Sequence, residues 1–209
     1  NHFASKASYL RRPLKIFNLR LNNIKLTKIP LNFNKRLIGK LMHIVCSHCL
    51  AINRMPEDKS HTQAKCGKCQ KAAYSSSPIE LSDASFYRYI EKNDLPVVVD
   101  FWASWCKPCR MENPTVVDAY ARFKNRNFTV LGVSLDQPDG KDDWMNAVMK
   151  DRLTWTQVSD LQYWNSPVVP LYNIQGIPYN VLVDPNGKVV AESLRGEQLA
   201  ATLEQVLPK

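Results

Sequence analysis

All six cysteines of this 209-residue chain fall in Cys-x-x-Cys pairs, at Cys46/Cys49, Cys66/Cys69 and Cys106/Cys109. That spacing suits two chemistries, a dithiol that opens and closes or half of a tetrahedral metal shell, and it suits cross-linking of distant loops less well. The third pair is set apart by its surroundings. An apolar run, Val97-Val98-Val99-Asp100-Phe101-Trp102, leads into Ala103-Ser104-Trp105-Cys106-Lys107-Pro108-Cys109. A strand ending just before a helix puts Cys106 at the helix mouth, where unpaired backbone N–H groups and the positive dipole end favour a thiolate. Only the thiolate attacks a disulfide. Lys107 adds a cation, Pro108 stiffens the first turn at no hydrogen-bond cost, and Cys109 lies one turn on, within reach of Cys106. Cys106 is thus expected to be the attacking thiolate and Cys109 the resolving thiol, acting through a mixed disulfide. Inert core cysteines or a further metal pair are the plain alternative.

The first two pairs have zinc-ribbon spacing, Cys46-x2-Cys49-x16-Cys66-x2-Cys69. Four thiolates complete a tetrahedral Zn²⁺ shell and leave no open position. One structural ion is therefore expected on Cys46, Cys49, Cys66 and Cys69, supplying folding energy to a unit with few large hydrophobes. Extra disulfides or redox-sensitive zinc release are the alternatives. His43, His48 and His61 are expected at the surface rather than as ligands.

Asp100 is an unusual occupant of an apolar strand. A buried carboxyl there has a raised pKa and can exchange a proton with Cys109; a hydrogen-bonded strand-end aspartate is the equal alternative.

The elements that must position these groups follow from pattern. Ser82 opens a helix carrying Phe86 and Ile90, which Asn93–Pro96 ends. Val97–Phe101 and Phe128–Ser134 read as buried strands, with a helix over Arg110–Lys124 kinked at Pro114. The span Asp136–Pro170 holds a helical piece (Asp142–Asp151), a strand (Thr154–Val158) and a short helix at Leu161–Asn165. Ile177–Val183, a turn at Asp184–Gly187 and Lys188–Ser193 form a hairpin, and a helix from Gly196-Glu197 to Leu207 closes the chain. The fold class is α/β, a mixed central sheet covered by helices on both faces.

The net charge of +9 is local: residues 1–41 hold ten Lys or Arg and no acid, leaving 18 basic against all 19 acidic residues. A nearly neutral folded part argues against nucleic acid as a partner. The leader has no apolar run of signal-peptide length, and the first methionine is Met42. The expectation is a basic leader over 1–41 that is disordered or upstream of the native start, a presequence or basic arm being the alternative. A ribbon follows over 42–74, a Ser-rich linker over 75–80, and the α/β domain over 81–209. No run approaches 18 apolar residues, so no membrane partner is expected. With no signal seen, the expected compartment is the cytoplasm.

Val99–Cys109 followed by Gly176-Ile177-Pro178 resembles the thioredoxin superfamily. The resemblance implies a thioredoxin fold, Asp100 as buried proton relay, and a cis Pro178 facing the dithiol. It also implies Ile177 backbone groups open to an extended substrate, and Trp102, Trp105 and Pro178 as an apolar rim; a core role for Trp102 is equally open. Residues 42–105, with Met42–Cys46, Ala51–Arg54 and Lys65–Gly67, look like the bacterial zinc-ribbon thioredoxin. Glu112-Asn113-Pro114, Leu131–Asp136 and Trp155–Asp160 look like TlpA-like thiol-disulfide reductases, which carry an insertion in mid-fold; that likeness implies an insertion at about 136–170 and the periplasm as the alternative compartment. The activity implied is that of a protein disulfide reductase or oxidoreductase with no organic cofactor. Its expected partners are disulfide-containing proteins and a thioredoxin-reductase-like electron donor. The alternatives are a non-enzymatic ribbon that binds protein or nucleic acid, and a thiol peroxidase. The peroxidase pattern puts a proline and a hydroxyl residue upstream of a single cysteine, and Ser104-Trp105-Cys106 lacks it.

Overall fold

The computed structural model describes residues 41–74, 79–80 and 82–207. The leader expected over 1–41 lies outside the described residues except for Leu41, and the linker expected over 75–80 lies outside them except for Ile79 and Glu80. Those three residues are strand: Leu41 begins β1 (Leu41–Val45), and Ile79–Glu80 is β3.

β1 pairs antiparallel with β2 (Ile52–Pro56) in a two-stranded sheet. The remaining strands form a second sheet of six in the order β3-β6-β5-β4-β7-β8. Its members are β4 (Val97–Trp102), β5 (Thr129–Ser134), β6 (Thr156–Ser159), β7 (Tyr179–Val183) and β8 (Val189–Glu192). β3, β6, β5 and β4 run parallel, and β7 and β8 are antiparallel. The expected mixed sheet is present. β4 and β5 are buried at every position, which explains why they read as unbroken apolar runs rather than alternating ones.

Helices cover both faces. α2 (Lys107–Phe123), α3 (Lys141–Lys150) and α5 (Glu197–Val206) pack on one, through Val116, Phe123, Trp144, Val148 and Leu203. On the other lie α1 (Asp83–Glu91), through Phe86 and Tyr89, and the short α4 (Val168–Leu171), through Val168. The ribbon borrows core from its neighbour: Leu95 joins Met42, Ile44, Met55 and Ala73 in one cluster, while Val45 packs with Phe86 and Phe101.

Several boundaries differ from sequence expectation, among them the strand expected at Thr154–Val158, which is β6 at Thr156–Ser159. α2 starts at Lys107 rather than Arg110, because Cys106 is its N-cap and Pro108 fits the first turn. Pro114 lies inside that helix without ending it. β7 starts at Tyr179 rather than Ile177, since Pro178 has no N–H for the ladder. The piece expected at Leu161–Asn165 is a 3₁₀ turn, Tyr163–Asn165, with α4 a separate element beyond it. Among the described residues no helix is long and apolar enough to cross a membrane.

Candidate active site and metal centre

Cys106 and Cys109 are joined by a disulfide, with Cα atoms 5.3 Å apart. The Cys106 sulfur accepts a hydrogen bond from the backbone N–H of Cys109 at 3.2 Å, so the N-cap of α2 is itself the sulfur. An N-cap side chain meets one of the helix's orphan N–H donors, and a negative sulfur there is favoured further by the dipole. Both residues are largely buried, Cys106 at 4% exposure and Cys109 at 1%. The Ile177 carbonyl oxygen lies 3.8 Å from the Cys106 sulfur, and the Ile177–Pro178 peptide is cis.

Two charged groups clamp the loop between β4 and Cys106. Buried Asp136, just past β5, accepts from the Ser104 N–H and hydroxyl and from the Ser134 hydroxyl. Arg110 donates to the Ser104 carbonyl at 3.2 Å and pairs through two nitrogens with Asp151. Asp151 also accepts from Asn113 at 2.7 Å. The whole polar surface of Ser104 is thereby tied down one residue before Trp105. Sequence reasoning missed Asp136, Arg110 and Asp151. A signal for Asp136 was available, since it is a carboxylate two residues past a buried strand that runs beside the one carrying Asp100.

Asp100 is 5% exposed. Burial pushes its carboxyl up from 3.8 to about 7; Arg195 opposes the rise and Glu112 adds to it. Arg195 also donates to the Pro178 carbonyl, and the Gly196 N–H donates to Glu112 at 2.9 Å. One electrostatic patch therefore joins α2, the cis-proline turn and the start of α5.

The two tryptophans part company. Trp105 is 47% exposed beside the disulfide, its ring 5.4 Å from that of Tyr163. Trp102 is 1% exposed and donates its indole N–H to Gln157 at 3.2 Å. Of the two roles left open for Trp102, rim and core, its burial fits the core one: it lies under the loop. Tyr163, which the sequence reading did not single out, is half-buried and packs its ring against Trp105.

In the ribbon the four sulfurs of Cys46, Cys49, Cys66 and Cys69 all lie within 4.8 Å of one another. Cys46 faces Cys69 at 3.7 Å and Cys49 faces Cys66 at 3.6 Å. A tetrahedral Zn–S shell of about 2.3 Å bonds has an S···S edge of about 3.8 Å, so this donor set fits the ion. The two knuckles fold alike. In each, the first cysteine's N–H bonds five residues on (Cys46 to Ala51, Cys66 to Lys71) and its carbonyl accepts from the residue after the second cysteine. Those last residues, Leu50 and Gln70, have φ of 56° and 61°. Asn53 ties the knuckles together, donating toward the Cys66 sulfur and accepting from the Gly67 N–H at 2.8 Å.

His48 is exposed and His43 half-buried against Asp94. The surface position expected of His61 is corrected: it is fully buried, edge-on to Tyr74. Neither of its ring nitrogens has a hydrogen-bond partner among the described residues.

The family model described as the AhpC/TSA family matches residues 63–192. The chain belongs to the AhpC/TSA family. A second model, "Thioredoxin 2, N-terminal", matches residues 45–71 and thus the four-cysteine unit. Thioredoxin C-3 of Corynebacterium nephridii is 47% identical over 95 residues, 46% of this chain and 63% of that protein. Thiol-disulfide oxidoreductase ResA of Bacillus anthracis is 31% identical over 123 residues, 57% of this chain and 68% of that protein. The chain spans 63% of Thioredoxin C-3 and 62% of the ResA protein of Bacillus thuringiensis subsp. konkukian. Among solved structures, the thioredoxin domain of a Bacteroides vulgatus thiol-disulfide oxidoreductase superposes with a TM-score of 0.52 at 37% identity. That match covers 57% of this chain and 82% of the other. Both halves of the resemblance read from sequence are thus met, and the six-stranded domain has the thioredoxin fold.

Proposed function

We propose that the chain is a thiol-disulfide oxidoreductase acting through Cys106 and Cys109, with one structural Zn²⁺ on Cys46, Cys49, Cys66 and Cys69. The observation that carries the reading is the disulfide itself: its outer sulfur caps α2 and faces the Ile177 carbonyl at a cis-proline turn. In the reducing direction the Cys106 thiolate attacks a substrate disulfide, forming a mixed disulfide and releasing one substrate thiolate, which takes a proton from solvent. Cys109 then passes its proton to the Asp100 carboxylate and attacks the Cys106 sulfur. The second substrate sulfur leaves as a thiolate and takes up a proton, from Asp100 or from solvent, as the Cys106–Cys109 bond closes. Two electrons have moved to the substrate, and an external dithiol donor of thioredoxin-reductase type restores the cycle.

Substrates in this reading are disulfide-bearing protein segments lying across Trp105, Tyr163, Ile177 and Pro178. The zinc holds the ribbon folded and takes no part in electron transfer. Four cysteines kept for a metal fit a reducing compartment, hence the cytoplasm. The peroxidase alternative is disfavoured because Cys106 is already closed onto a resolving cysteine three residues away.

The test is insulin reduction with dithiothreitol as electron source. The wild type should accelerate it and Cys106→Ser should not, while Cys109→Ser should trap substrate as a mixed disulfide. Full activity in Cys106→Ser overturns the assignment, and peroxide consumption faster than insulin reduction transfers it to the peroxidase class.

A further inference from the structure

Across the four central strands one rung of the sheet is polar. Asn180 of β7 pairs with Asp100 of β4, Asp100 with Gly132 of β5, and Gly132 with Gln157 of β6. Paired residues in a sheet point to the same face. Here that face is the one beneath α2, because Val98 and Trp102, two residues either side of Asp100, both pack with Cys106 and Cys109. Polar side chains in such a place are costly unless each finds a partner. Asn180 is satisfied at both ends by the backbone of Leu194, at 2.9 Å each way. Gln157 is satisfied at one end only. It is 0% exposed, its Oε1 accepts from Trp102, and its Nε2 has no partner among the described residues.

The glycine between them shows where that amide lies. A Cβ on Gly132 would fall 2.2 Å from Oε1 of Gln157 and 2.6 Å from its Cδ and Nε2. The carboxamide is therefore laid over Gly132, in the side-chain place next to Asp100, and β5 has a glycine there because any side chain would displace it. A fully buried amide donor without a partner thus adjoins the rung position of a buried carboxyl. The charged groups that act on that carboxyl come from two other directions, Arg195 before α5 and Glu112 on α2.

We propose that Gln157 is a positioning residue for thiol-disulfide exchange: its Nε2–H group serves the Asp100 carboxylate, while its Oε1 holds Trp102 beneath the dithiol loop. The inference rests on the reading of Asp100 as proton acceptor from Cys109. In that step the Cys109 S–H bond breaks and a carboxyl O–H bond forms. Before it, Asp100 must carry its charge in a dry site, where a donor to the charged form lowers its pKa. Gln157 keeps a larger fraction of Asp100 ionised near neutral pH without adding a charge of its own.

The test is the pH profile of single-turnover insulin reduction by the pre-reduced full chain with its zinc. Asp100→Asn should abolish one component of the acid limb. Gln157→Met, which spans Gly132 but cannot donate, should move that component up by about one pH unit and slow turnover about fivefold at pH 7. In the wild type, the Gln157 Nε2–H₂ NMR signals should titrate with the midpoint of the Asp100 carboxyl carbon and be flat in Asp100→Asn. If Asp100→Asn leaves the profile intact, the reading of Asp100 falls and this inference with it. If Asp100→Asn abolishes the component but Gln157→Met leaves it in place, or the amide signals do not titrate, Gln157 alone loses its role. Should Gln157→Met not fold, the wild-type titration decides by itself.

Discussion

The ribbon and the dithiol use one spacing for opposite ends. In the ribbon, the residue after each second cysteine turns into the left-handed region and the chain doubles back, so each sulfur looks across at the other pair. At Cys106–Cys109 the chain runs on into a 17-residue helix, and the two sulfurs of one pair face each other. Two residues between cysteines do not choose between gripping an ion and exchanging electrons. The backbone beyond the second cysteine chooses. Packing follows the same division. The dithiol sits on a complete core, whereas the ribbon has Met42, Ile44, Met55 and Ala73 and takes Leu95 from the neighbouring domain.

If that division holds, metal removal should fall almost wholly on the ribbon. Structural zinc contributes on the order of 10–16 kcal/mol in comparable peptides. Cys66→Ser, or a strong chelator, should release the zinc and abolish hydrogen-exchange protection over 41–74. Insulin reduction should stay within a few-fold of wild type. Complete loss of exchange activity on metal removal would mean that the two cysteine regions are one functional unit.

A smaller effect separates the loop that presents Cys106 from the core beneath it. Asp136→Ala strips the half-buried Ser104 N–H and hydroxyl and the buried Ser134 hydroxyl of a charged acceptor, at about 1–3 kcal/mol for each group left without a partner. A total loss of about 4 kcal/mol in denaturant unfolding is expected, and zinc content should not change. A loss below about 1 kcal/mol would show that Arg110 and Asp151 hold the loop unaided.

Much of this was legible beforehand. The strand-to-helix setting of Cys106, the ribbon spacing and the oddity of Asp100 are local features, carried by adjacent residues. What escaped the sequence depends on register. Gln157 and Gly132 sit in ordinary strand positions, and their relation to Asp100 exists only once β6, β5 and β4 are aligned. Trp102 and Trp105 are three residues apart in one motif, yet one is core and the other rim, because β4 ends between them. His61 reads as a polar residue in a polar loop, but the Tyr74 ring packs on it and its 3₁₀ turn, His61–Gln63, docks against Lys124–Arg126.

That docking gives the pH response that should tell the two regions apart. Burial pulls the His61 pKa down from 6.5 to about 4, and the nearby Asn127 amide offsets this only in part. The folded chain therefore holds His61 neutral where the unfolded chain would protonate it. The contribution is fully present above pH 6.5, is lost progressively as pH falls toward 4, and changes no further below that. Its size is on the order of 3 kcal/mol. Tyr74, edge-on to the ring, stays neutral throughout this range, since burial holds its phenol well above its ordinary value. His61→Phe keeps the ring and removes the titration. Because acid also protonates the zinc thiolates, the informative quantity is the stability difference between wild type and His61→Phe at fixed zinc. Between pH 7 and 4 that difference should move by about 3 kcal/mol in favour of the variant. A difference independent of pH would place His61 in contact with water, and the ribbon would then be held by its metal and Leu95 without the histidine.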